Sequence, residues 1–111
     1  METLVHYRQI IKQVLNEYAQ IPQAYGDVQN IVVSDDAGDH HLWVIMGWEG
    51  SKRVYNCLAH IDIINGKVWI QRDQTEDGLA LDLERAGVPK DHIVLGFRSA
   101  EVRPYTDYAI A

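Results

Sequence analysis

The stretch Val54–Gln71, VYNCLAHIDIINGKVWIQ, decides the fold. Two runs rich in β-branched and aromatic residues flank Asn65-Gly66. That dipeptide fits a type I′ hairpin turn, because Asn tolerates a positive φ and Gly carries no Cβ to clash. A turn of this length fixes the register. Ile64 faces Lys67, Ile63 faces Val68, Asp62 faces Trp69, Ile61 faces Ile70, and His60 faces Gln71. One face of the ribbon then carries Ile61, Ile63, Val68 and Ile70 and is wholly apolar. The other carries His60, Asp62, Ile64, Lys67, Trp69 and Gln71 and is mixed. A slip of one residue would bury Asp62 and Lys67, so the pairing is well specified. The apolar face is expected against a helix, and the mixed face against solvent, a second chain or a partner.

Upstream of the hairpin, residues 40–48 (HHLWVIMGW) read as a strand. Leu42, Val44, Met46 and Trp48 point one way; His41, Trp43, Ile45 and Gly47 point the other. Both sets are largely apolar, which predicts a central strand covered on both faces. Residues 28–35 make a weaker strand before the turn Asp36-Ala37-Gly38-Asp39. Glu49-Gly50-Ser51-Lys52 leads into the strand Arg53–Ile64, completing a four-stranded antiparallel meander. Further upstream, Leu4, Tyr7, Ile11, Val14, Leu15 and Tyr18 repeat at the spacing of one helical face, predicting a helix over 3–20 with Thr3 as N-cap. Pro22 is expected to end it, with a loop to Asp27. Downstream, Thr75 reads as the N-cap of a second helix, with Glu76 and Asp77 in its first turn. Leu79, Ala80, Leu83 and Ala86 form its buried face, and Gly87 with Pro89 closes it. Residues 92–97 read as a short buried strand or extended segment. The remainder lacks periodicity, yet Val102, Tyr105, Tyr108 and Ile110 are too apolar for a free tail.

The chain has 111 residues, enough for one domain spanning 1–111 with its own core. Its single cysteine, Cys57, excludes an internal disulfide and a paired-cysteine zinc motif. Cys57 itself reads as a small buried hydrophobe. No apolar run approaches the ~18 residues of a membrane span. Glu2, Arg8 and Lys12 interrupt the apolar residues near the N-terminus, against a signal-peptide pattern. A cytoplasmic protein without membrane contact is expected. The net charge of −6 argues against nonspecific DNA binding, which needs Lys and Arg to neutralise phosphates. Only a local patch of Lys52, Arg53, Lys67 and Arg72 stands against this.

His60 and Asp62, two apart on one strand face, have the chemistry of a metal-binding or orienter–base pair. Two ligands do not make a zinc site. His40 and His41 are adjacent and so face opposite sides of their strand, leaving no obvious third donor. The pair therefore reads as part of a polar sheet face or interface. No nucleophile elbow, phosphate-binding glycine loop or zinc-protease helix occurs, so no enzyme, metal or cofactor is expected. Trp43, Trp48 and Trp69 all fall on the sheet. Trp48 reads as core. Trp69, on the mixed face, fits packing and interface equally, tryptophan being enriched at interface hot spots. The candidate partner or oligomer face is His60, Asp62, Ile64, Trp69 and Gln71. An accessory protein acting through a protein partner is the reading these features favour. The alternatives are a DNA-binding regulator using Trp69, Lys67, Arg72 and Arg53, and an enzyme using His60 and Asp62.

Five segments together resemble one family: YRQIIKQVLNEYAQIP, AYGD, GWEGSKRVYNCLAHIDIINGKVWIQRDQTEDG, AGVPKDHIVLGF and EVRPYTDYAIA. The chain resembles the XisI family, named for the fdxN element excision controlling factor, over essentially its whole length. The resemblance implies a small cyanobacterial cytoplasmic protein. It implies a part in controlling developmentally programmed excision of a DNA element by a separate recombinase, and an XisH-type protein as partner. It implies no catalytic residues. The expected architecture is α+β: an N-terminal helix, a four-stranded antiparallel meander, a second helix, and a short C-terminal strand or extended tail. A homo-oligomer is expected, with DNA reached only indirectly.

Overall fold

The computed structural model describes residues 2–21 and 27–111. The apolar stripe at the start folds as α1 (Glu2–Ala19), with Tyr7, Ile11, Val14 and Leu15 buried and Leu4 and Tyr18 packed at the margin. Ile10 joins the buried face, widening the stripe by one position. Thr3 lies inside the first turn rather than before it, so it does not cap the helix. Of the loop expected from Pro22 to Asp27, Asp27 opens the first strand and residues 22–26 lie outside the described residues.

Five strands follow: β1 (Asp27–Asp35), β2 (His40–Glu49), β3 (Lys52–Ile64), β4 (Lys67–Asp73) and β5 (Ile93–Leu95). They lie in the order β1-β2-β3-β4-β5. The first four make the antiparallel meander. β5 adds to β4 in parallel, and a parallel neighbour requires a crossover connection, here α2 (Leu79–Arg85). The fold is α+β, as the patterning predicts.

The hairpin turn has φ of 52° at Asn65 and 79° at Gly66. The projected register holds from Ile64↔Lys67 to Ile61↔Ile70. A bulge then intervenes, so His60 faces Arg72 rather than Gln71. A second bulge interrupts β2–β3: Val44 pairs with Cys57, Trp43 with Ala59, and Leu58 is passed over.

α2 begins later than the sequence suggests. Its N-cap position is Gly78, and Glu76 and Asp77 precede it. Asp73 supplies the capping oxygen instead of Thr75: its Oδ2 accepts the Leu79 N–H at 2.7 Å. Thr75 Oγ1 accepts the Gly78 N–H at 3.2 Å and supports the turn. At the other end Gly87 donates to the Glu84 carbonyl and Val88 to that of Leu83, a Schellman closure around Gly87. Ala86 is the C-cap and exposed, not part of the buried face.

Both helices pack on the sheet face that carries Trp43, Ala59, Ile61, Val68 and Ile70. The Trp43 ring stacks on Tyr18 at 5.4 Å, and its Nε1 donates to Asn30 at 2.9 Å. Among the described residues, no helix packs on the outer face. Strand register places Val33, Leu42, Val44, Met46, Trp48, Tyr55 and Cys57 there. β2 is therefore covered on one face only. Trp48 is 49% exposed rather than core, and Cys57 is half-buried, its Sγ donating to the Ala59 carbonyl. The C-terminal segment returns along the sheet edge. Tyr108 packs against the core and Ala109 N–H donates to the Ile93 carbonyl at 2.8 Å. Val102, Tyr105 and Ile110 stay exposed, so only part of that segment is buried as its composition suggests.

Candidate functional site

Period-two alternation places His60 and Asp62 on the outer face of β3, and the β2–β3 bulge sets what stands beside them. The tight Gly50-Ser51 turn, continued without interruption, would set His40 opposite Ile61. Passing over Leu58 moves it opposite Asp62. His40 is thus the third donor that the sequence alone does not reveal. Its Nδ1 lies 2.8 Å from Asp62 Oδ1, and His60 Nε2 lies 2.7 Å from the same oxygen. The two rings meet edge to face with centroids 6.2 Å apart.

Asp62 is only 7% exposed, an unfavourable position for a carboxylate unless hydrogen bonds compensate it. The imidazoles serve Oδ1, and Gln71 Nε2 donates to Oδ2 at 3.3 Å. Gln71 reaches it because the β3–β4 bulge makes Gln71 the extra residue of β4. The hydrogen bond to Asp62, then its charge, raises the His40 pKa above the ordinary histidine value. His41 points into the opposite side, fully buried, where desolvation lowers its pKa.

The remaining candidate residues sit beside this cluster. Ile64 is exposed at the hairpin end. Trp69 is half-buried because the chain's own C-terminal segment reaches it: the Arg103 guanidinium lies 5.0 Å above its ring. Lys67 Nζ donates to the backbone oxygen of Ala111. His60, Asp62 and Gln71 are thus joined directly, while Trp69 stands opposite Asp62 in the ladder and Ile64 lies at the hairpin end.

Three of the four cations of the candidate basic patch, Arg53, Lys67 and Arg72, are engaged within the chain. Arg72 Nε donates to the Cys57 carbonyl at 2.7 Å, and Arg53 lies over the Trp48 ring. Arg8 and Lys12 pair with Asp39 and Asp36. No helix among the described residues is long and apolar enough to cross a membrane.

A model of the XisI protein family matches residues 1–110. The chain belongs to the XisI family. Its fold is similar to that of a XisI-like protein from Anabaena variabilis ATCC 29413, with a TM-score of 0.91 and 38% identity over 97% of this chain and 99% of that one. It is also similar to the fdxN element excision controlling factor XisI from the same organism, with a TM-score of 0.84 and 34% identity over 98% and 99% of the two chains. No curated protein matches the chain. The XisI fold therefore accounts for the whole architecture, from the first helix to the returning C-terminal segment.

Proposed function

We propose that this XisI-family chain is a non-catalytic accessory factor controlling excision of a DNA element, and that it acts through an XisH-type protein partner. The carrying observation is the one-sided sheet. Its uncovered face is apolar and aromatic from Trp48 and Tyr55, 49% and 69% exposed, to Ile64 at the hairpin end, 39% exposed. Contiguous apolar surface of this kind marks protein contacts. The similarity to an excision controlling factor supplies the biological context. The net charge of −6 and the engagement of Arg53, Lys67 and Arg72 within the chain weigh against direct phosphate binding. Self-association through the β1–β3 part of the face leaves the hairpin end, around Ile64, for the partner.

Co-expression with the XisH-type protein from the same source tests this reading. A stable co-purifying complex is expected, weakened by Ile64→Glu. Ile64 is preferable to Trp69 as a probe, since the Trp69 ring also holds Arg103. The chain alone should not bind duplex DNA carrying the element border at physiological salt. Tight, salt-sensitive binding to that duplex without association with the XisH-type protein would make the chain a DNA-binding regulator.

A further inference from the structure

We propose that His40, His60 and Asp62 form a binding site for a divalent first-row transition ion of the Zn²⁺ type. Each residue offers one ligand atom, all within 4.8 Å of one another, and His40 Nδ1 and His60 Nε2 are the nitrogens that face the Asp62 carboxylate. Two neutral imidazoles and one carboxylate form a donor set typical of such ions, whereas Mg²⁺ and Ca²⁺ favour oxygen alone.

The geometry is close to a coordination site. Bonds of about 2.0–2.2 Å in a tetrahedral arrangement separate neighbouring donors by about 3.4 Å. Here each imidazole nitrogen lies 2.7–2.8 Å from the shared oxygen. The ion replaces the ring protons as the centre on which the three groups converge, and each nitrogen needs to move away from the oxygen by about 0.6–0.7 Å. They can do so: the His40 and His60 side chains are 56% and 32% exposed, while Asp62 is held in place. The exposed side leaves a coordination position for water or for a donor from another molecule.

Two features favour a built site over a chance hydrogen-bonded cluster. Both bulges in the central ladders act here. One aligns His40 with Asp62, and the other makes Gln71 the extra residue that holds Asp62 Oδ2. Bulges re-aim side chains and gather beside functional sites. Gln71 also occupies the outer position from which a polar group orients a ligating carboxylate.

Equilibrium dialysis of the full chain against Zn²⁺, with Mg²⁺ in parallel, tests the site. One Zn²⁺ per chain and no Mg²⁺ is expected. His40→Ala should weaken Zn²⁺ binding by more than tenfold, and Gln71→Ala by about tenfold. The exposed His6, on the far α1, supplies the control His6→Ala, which should bind as the parent does. Proton NMR of the unaltered chain avoids any loss of folding in a variant. One equivalent of Zn²⁺ should move the ring resonances of His40 and His60 and leave those of His6 and His92 in place. Absence of stoichiometric binding would overturn the proposal. So would binding indifferent to His40→Ala, or ring shifts confined to His6 or His92.

Discussion

Gly66 has φ of 79°, and a Cβ built there meets no atom within 4 Å. Replacing it therefore tests backbone strain without a steric clash. Gly66→Val should cost about 1–3 kcal/mol, read as a lower urea midpoint at an unchanged slope. Two phenols carry a different signature. Tyr18 donates to Asp82 and Tyr108 to Glu84, and burial followed by these carboxylates pushes both phenols up from 10.0 to about 12. Their folded values lie above the unfolded one. The stability they contribute is fully present below the unfolded value and is lost as pH rises towards 12. In a tyrosine absorbance titration, Tyr18→Phe and Tyr108→Phe should each remove one late-ionising group. The same scale shows what the sequence conceals. The alternation that joins His60 to Asp62 is visible in the chain, but the passing over of Leu58 is not. That one residue without a partner in the β2–β3 ladder, packed against the core, decides that His40 stands opposite Asp62. No local residue preference distinguishes Leu58 from a regular strand residue.

Among the elements, the meander is the part most legible from sequence, because alternation and Asn65-Gly66 both specify it. α1 is nearly as legible, its stripe gaining only Ile10. α2 is less so, since both Asp73 and Thr75 carry capping oxygens at its approach. The structure gives the helix N–H to Asp73, six residues before Leu79, because Gly78 turns the chain back across the end of β4. Asp73 Oδ1 also accepts the Thr75 N–H at 2.9 Å, so one carboxylate closes the whole connection. Asp73→Ala should destabilise the domain by about 0.5–2 kcal/mol in chemical denaturation. Thr75→Ala should cost less, because it leaves the Leu79 N–H satisfied. The opposite ranking would restore Thr75 as the principal cap. The C-terminal segment is the least legible, since the Val94↔Ala109 bridge and side-chain contacts from Tyr108 and Arg103 replace any periodic pattern.

For the whole molecule, the decisive asymmetry is that both helices cover the same side of the sheet. The outer side is not conventionally polar, as an antiparallel sheet facing water usually is. Leu42, Val44 and Met46 line β2 half-buried, and Val33, Trp48 and Tyr55 stand exposed around them. Burying such a surface against a second copy is favourable by about 25 cal/mol for each Å² of apolar area removed from water, set against the cost of association. A two-fold pairing also satisfies the face with one self-complementary patch. The chain should therefore weigh twice its 12.7 kDa in light scattering at micromolar concentration. Tyr55→Lys is the informative variant. At 69% exposure its side chain contributes little to the folded chain, so a change there acts on association and not on the core. Two copies related by a two-fold axis would bring the new ammonium groups into one desolvated contact, where unpaired charge is strongly unfavourable. The variant should keep the circular dichroism and melting behaviour of a single folded chain while its mass falls to 12.7 kDa. A parent protein that already weighs one chain would remove self-association from the reading and leave the whole outer face to a different partner.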